Sequence, residues 1–287
     1  MSAAPTRSAM RILSLGAGVQ SSALLMLAVR GEIAPFDLAI FSNTGWEPAK
    51  VYLHLARLEA IAQHAGLEVV RVSNGHIRRD ALDPAHRFAS MPLFTLGPNG
   101  ERGMARRQCT GEYKIKALKR EVRRRLGYPH PQRVPDGVHA EMVIGISEDE
   151  IGRMRQPDVR YMRHAYPLLE LGWTRADCLT WLDINGMANT PRSACLGCPY
   201  HDDGFWHDLK VNSPLEWADV VAFDKSIRHG SARANAGGHP LRGQLFLHPQ
   251  RVPLDEVVLR PKQPQARPGC GPWTCASGYP SGEGRVA

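Results

Sequence analysis

The sequence predicts an α/β fold: a doubly wound, mostly parallel sheet of the Rossmann-like type, with helices on both faces and an irregular C-terminal extension. Three observations carry that expectation. Short apolar runs of strand length alternate with amphipathic helical patterns, which is how a parallel sheet crossed by helices reads. The apolar run at 12–15 passes through Gly16-Ala17-Gly18 directly into a helix, a strand-to-helix turn of small residues. At 287 residues with 43% hydrophobic side chains, the chain can also bury a large core.

The elements follow in order. Leu24, Leu25, Leu27 and Ala28 give the first helix its apolar face, and residues 38–42 form the second strand. A second helix is expected over 50–65, with Val51, Leu53, Leu55, Leu58, Ile61 and Ala62 as its apolar side chains. Strands follow at 68–72 and 142–146. Between them Ile115, Leu118, Val122 and Leu126 make the buried stripe of a helix stopped by Gly127. Residues 73–105 and 129–140, rich in Pro, Gly and His, read as long loops. A further helix starts at Thr174 and ends near Gly186. The expected division is one nucleotide-binding α/β domain over 1–215 and an extension over 216–287 whose tail is poorly ordered. The longest apolar run, Ala23 to Val29, is too short to span a membrane. With no signal-peptide pattern at the start, a cytoplasmic location is expected.

Charge is concentrated. Residues 102–125 carry ten Lys or Arg and two Glu, which accounts for the whole net charge of +8. Three readings stand: a solvated helix face, a phosphate site built from Arg106, Arg107 and Lys114, or a docking surface for nucleic acid.

The first turn is an anion-binding device. Gly16, Ala17 and Gly18 let backbone approach an anion, Ser21 and Ser22 add hydroxyls, and the helix that follows directs its positive end to the same place. It is not a Walker A loop, because no lysine stands near Ser21. Nor is it a dinucleotide-binding turn, because Ser21 replaces the third glycine and the second strand closes on Ser42-Asn43-Thr44 without an acid.

The stretch resembles the PP-loop of the adenine nucleotide alpha-hydrolase superfamily, Ser-Gly-Gly-x-Asp-Ser after a strand. Gly16, Ala17, Gly18, Gln20 and Ser21 occupy the motif positions, with Gly16 for serine, Ala17 for glycine and Gln20 for aspartate. Later blocks are similar to the phosphoadenosine phosphosulfate (PAPS) reductase branch in the expected order. These are Phe41-Ser42-Asn43-Thr44-Gly45-Trp46-Glu47-Pro48, Arg107-Gln108-Cys109-Thr110 with Tyr113-Lys114-Ile115, Gly145-Ile146-Ser147 with Asp149, Glu150 and Arg153, and Cys195-Leu196-Gly197-Cys198-Pro199-Tyr200-His201. Asn43 again stands for an aspartate.

That resemblance implies an enzyme of nucleotide-dependent sulfur chemistry acting on an adenine nucleotide, ATP or PAPS, with Mg2+. Phosphate and nucleotide contacts would come from Ser14, Gly16, Ala17, Gly18, Gln20, Ser21, Ser22, Asn43, Thr44, Gly45, Gly145, Ser147 and Arg153. Asp149 or Glu150 would help the magnesium, and Cys109, Arg107 and Lys114 would act in catalysis. Cys109, Cys195 and Cys198 would hold a [4Fe-4S] cluster with one iron open. Zinc on Cys195, Cys198 and His201, or a redox dithiol, are alternatives. Cys109, beside two arginines, is expected as a thiolate. Cys178 reads as core packing, and Cys270 and Cys275 as a possible fourth ligand or resolving thiol. The favoured reaction is sulfur transfer with ATP split to AMP and pyrophosphate, drawing on a sulfur donor or thiol reductant, with nucleic acid as one candidate acceptor. A sulfonucleotide reductase releasing sulfite is the first alternative, although the Glu-Cys-Gly-Leu-His tail of those enzymes is absent. A zinc-stabilised nucleic-acid-binding module is the second. Trp46 is expected in packing, with the nucleotide pocket as the alternative, and His76, His164 and His201 as ordinary surface or loop residues.

Overall fold

A computed structural model describes residues 10–86, 91–231, 233, 238 and 241–261. Five parallel strands form the main sheet in the order β3-β2-β1-β6-β7: β1 (Met10–Leu15), β2 (Leu38–Asn43), β3 (Glu68–Ser73), β6 (Ala140–Val143) and β7 (Met162–Ala165). The order reverses between β1 and β6. All parallel strands end on one edge, so the crevice for a ligand lies where the chain leaves those two strands.

Alternation along the strands assigns the two faces. Leu13, Leu15, Ala39, Phe41 and Val143 pack under α1 (Val19–Val29), α2 (Ala49–His64) and α6 (Arg175–Ile184), with Cys178 and Leu182 in the same core. Ile12, Leu38, Ile40, Ala140 and Met142 face the other way, onto Leu118 and Val122 of α4 (Lys116–Arg125). Helices therefore cover both faces, as the doubly wound expectation requires. The Thr174 hydroxyl accepts from the Asp177 amide and the Asp177 carboxylate accepts from the Thr174 amide, a capping box that fixes the start of α6.

Residues 73–105 depart from the expected loops. They contain α3 (Ile77–Leu82) and the hairpin β4 (Phe94–Leu96) to β5 (Arg102–Met104). The hairpin turns over Gly97-Pro98-Asn99-Gly100, and its other edge pairs with β8 (Gln244–Phe246), some 150 residues along the chain. Strands of three residues leave too short an alternation to read in sequence. A second core joins these to α7 (Asp203–Asn212) and α8 (Pro214–Ser226), with Trp46, Tyr113, Leu196, Trp206, Phe223 and Leu247 at its centre. Residues 216–257, expected to begin an extension, supply much of this core. Cys270, Cys275 and the expected tail lie outside the described residues. Among the described residues no helix is long and apolar enough to cross a membrane.

Candidate active site

The turn after β1 is held by a hydroxyl. Ser21 Oγ accepts from the backbone N–H of Gly16 at 3.1 Å and of Gly18 at 3.3 Å, and it donates to the Gly18 carbonyl at 3.2 Å. Ala17 sits at φ +53, in the left-handed region where the superfamily pattern places glycine. Ser193 lies against this turn: a Cβ built on Gly18 would meet Ser193 Cβ at 2.9 Å. Gly145 is equally close to the other side, where a Cβ would stand 3.0 Å from the Ser21 amide nitrogen. Gln20 reaches from the helix to Ser147 Oγ at 3.4 Å, both residues buried.

Two expected ligands are committed elsewhere. Ser22 is fully buried, and its hydroxyl is 2.8 Å from His54 Nε2 on α2, so it stabilises the α1–α2 contact rather than facing a phosphate. Asn43 accepts from the Gly45 amide at 2.9 Å and the Tyr52 hydroxyl at 2.8 Å, which fixes the turn after β2. Ser14 is buried in β1 with no hydrogen bond to its hydroxyl. Asp149 and Glu150, expected beside magnesium, serve arginines instead. Asp149 accepts from the Arg175 amide at 2.9 Å, and buried Glu150 is ion-paired with Arg153.

Cys195, two residues past Ser193, belongs to a small cavity of about 20 Å³ lined also by Cys109, Cys198, Arg107, Lys114, Thr44, Met91, Pro92 and Tyr200. Five separate stretches build it, the fifth contributing Ile77. A π-helical turn over Thr110–Ile115 precedes α4, and its wider spacing lets Thr110 and Lys114 line the same wall. Cys195 and Cys198 come from a tight turn in which the Cys198 amide donates to the Cys195 carbonyl at 3.0 Å. Gly197 in that turn lies on the Trp46 indole, where a Cβ would fall 2.1 Å from the ring. Trp46 packs on Phe223 and donates to Asp219 at 2.7 Å, which settles it as packing. Arg106 is exposed and outside the cavity lining.

Electrostatics around the thiols centre on Glu47 and Lys114. Glu47 Oε1 accepts from Thr44 Oγ1 at 3.1 Å and lies 3.6 Å from both Lys114 Nζ and Cys195 Sγ. Its Oε2 is buried with no hydrogen bond. Burial pulls the Lys114 pKa down, but Glu47 and then the three cysteine sulfurs outweigh it, and the ammonium is held charged. Burial, then Glu47, holds the Cys195 thiol well above its ordinary value, and burial pushes Cys198 up to about 11. Cys109 is also raised: burial outweighs Arg107 and Lys114, so the expected free thiolate is corrected to a protonated thiol.

Three thiols facing one cavity beside a lysine and an arginine suit a soft-metal or iron–sulfur centre, which would supply the cation that thiolates here need. Among the described residues no three His, Cys, Asp or Glu converge on one ion, as a single zinc at about 2.0–2.3 Å from each ligand demands. His201 does not complete a zinc site. It is buried, its Nε2 engages the Cys195 carbonyl at 2.9 Å, and its ring stacks on Phe205, with burial lowering its pKa to about 3. His76 caps α3, and His164 hydrogen-bonds the Arg155 carbonyl at 2.7 Å.

Arg107 of this lining has two further arginines near it. Arg153, largely buried, has its pKa lowered by burial first and also by the nearby Arg107 and Arg192, so three guanidiniums from distant blocks share one neighbourhood. Arg192, Ser193, Glu47 and Tyr200 were not singled out from the sequence. Their contacts run to residues far along the chain, and only the neighbouring Cys195-x-x-Cys198 pair and the Trp46 block marked their segments.

No family model matches the chain, and no curated protein does. Solved structures with some likeness include a PAPS reductase from Candida auris in its phosphate complex, at 12% identity and a TM-score of 0.37, covering 64% of this chain and 75% of that one. Another is the U34-tRNA thiolase NcsA from Methanococcus maripaludis with its [4Fe-4S] cluster, at 14% identity and a TM-score of 0.39, covering 78% and 73%.

Proposed function

We propose that the protein is a PP-loop enzyme of the PAPS reductase-like branch that activates an acceptor with ATP, forming AMP and pyrophosphate, and delivers sulfur to it. The observation that carries this reading is the junction of the two half-sites: Ser193 lies on the Gly16–Gly18 turn, and Cys195, two residues on, lines the cavity shared by Cys109 and Cys198. Phosphate chemistry and thiol chemistry thereby meet at the edge where parallel sheets bind ligands.

Each residue has a part in this reading. Backbone N–H groups at the start of α1 bind the departing pyrophosphate beside the turn that Ser21 holds, with Gln20 and Ser147 as the wall behind it. Arg107, Arg153 and Arg192 hold the charge of nucleotide and acceptor. Cys109, Cys195 and Cys198 would hold an iron–sulfur cluster, which would supply soft-metal chemistry toward sulfur beside the nucleotide. Lys114, fixed by Glu47, offsets the negative charge the thiolates bring. Thr44 orients Cys195 through the 3.3 Å contact of its hydroxyl with the sulfur.

Anaerobic purification followed by iron, sulfide and AMP measurements tests the assignment. A brown protein with iron and sulfide in equal amounts, forming AMP from ATP only with both an acceptor and a sulfide donor present, is the expected result. Cys198→Ala should bleach it. Colourless protein that forms no AMP would defeat the proposal. Sulfite release from PAPS with a thiol donor would move the activity to a sulfonucleotide reductase.

A further inference from the structure

A cavity lined by charged side chains, away from the thiols, lies at the opposite end of the sheet. Because β6 and β7 are parallel to β1, their starting ends at Ala140 and Met162 face away from the Gly16–Gly18 turn. The loops leading into them enclose a cavity of about 410 Å³ lined by Arg123, Arg133, Arg160, His130, Tyr161 and Asp136 among others. Three guanidiniums and an imidazole thus surround a space with one carboxylate.

These arginines differ in how they are held. Arg123, at the end of α4, donates from Nε to the Tyr128 carbonyl at 3.1 Å and from its terminal nitrogen to the Gln132 carbonyl, and it lies 5.8 Å over the Tyr161 ring. It is a fixed floor. Arg133 is exposed and has no hydrogen-bond or ion-pair partner among the described residues. Arg160 is 90% exposed at its side chain and lies 3.9 Å from an equally open Asp136, a pair that offers little competition for an anion.

The geometry points to a docking surface for the phosphodiester backbone of a nucleic acid, seated on Arg123 and gripped by Arg133 and Arg160. A small free anion needs donors converging on one buried point. Here the donors ring an open cavity, and exposed arginines around a fixed one suit successive phosphates of a polyanion. The proposal is independent of the sulfur chemistry above, since neither the thiols nor the phosphate turn line this cavity.

The test uses the full chain and a short fluorescein-labelled RNA hairpin, followed by anisotropy over a salt series. Wild type should bind in a salt-dependent manner. Arg133→Gln/Arg160→Gln should weaken binding at low salt and reduce the slope of log K against log salt by about 2, about 1 for each phosphate contact removed. Lys116→Gln/Arg124→Gln, on the paired face of α4, should leave that slope unchanged. Unaltered binding by the first variant, equal loss in the second, or binding of inorganic phosphate without RNA affinity would each overturn the proposal. Iron content and AMP formation measured on the same variants keep its failure separate from failure of the enzymatic reading.

Discussion

The basic segment 102–125 is one run in sequence and two environments in space. Its first part turns Arg107 and Lys114 into the thiol cavity, where Lys114 is buried and faces Glu47 and three sulfurs. Its second part, α4, satisfies its cations locally: Lys116 with Glu112 at 2.7 Å, Arg124 with Glu121 at 2.7 Å, Lys119 with Asp158 at 2.5 Å and Arg125 with Glu68 and Glu121. The excess of positive charge therefore says little by itself. Burial decides which cations matter: an exposed pair competes with water and adds little, whereas a buried one is indispensable to its partner.

The sharpest way to break that comparison is Lys114→Met, which strands the Glu47 carboxylate inside the protein. A loss of about 3–5 kcal/mol is expected in urea unfolding, and adding Glu47→Gln should recover part of it. If the single variant unfolds like wild type, the two halves of the segment are equivalent after all.

A titration tests the same rule at an intermediate scale. Burial depresses the His54 imidazole to about 4, whereas an unfolded histidine keeps its proton up to about 6.5. The folded state binds fewer protons between these values. His54 therefore contributes its full stability above about pH 6.5 and loses it progressively as pH falls toward about 4, with no further loss below. Thermal melts across that window should slope less steeply for His54→Gln than for wild type. Parallel slopes would show that burial at this position does not control the proton.

The smallest effect belongs to α4. Lys116→Ala should change stability by less than about 0.5 kcal/mol, and Arg124→Ala should leave the midpoint of the same urea titration unmoved. A larger change would make these surface pairs structural and blunt the contrast.

Much of the fold was legible in the sequence because it is written locally. The strand at 12–15 and the helix after it, the capping residue Thr174 and the stripe through Leu118 and Val122 all depend on neighbours a few positions away. The hairpin at β4 and β5 was missed for want of length, and its third strand lies beyond any local signal. The meeting of Cys109 with Cys195 and Cys198 was anticipated from a resemblance to a motif order. Their protonation was not, because the adjacent arginines are visible in sequence and the enclosing side chains are not. Ser22 and Asn43 were assigned to a ligand for the same reason: His54 and Tyr52, which engage them, announce nothing from within α2.

The contact of Ser193 with the Gly16–Gly18 turn makes a lever of the segment that follows it. Three consecutive residues extend no further than about 10 Å, so Ser193 cannot be pushed outward by an incoming anion without tugging the Cys195 sulfur. Events at one end of the crevice are thereby audible at the other, and a shift in the optical or redox signature of the sulfurs on adding pyrophosphate would be the sound of that linkage.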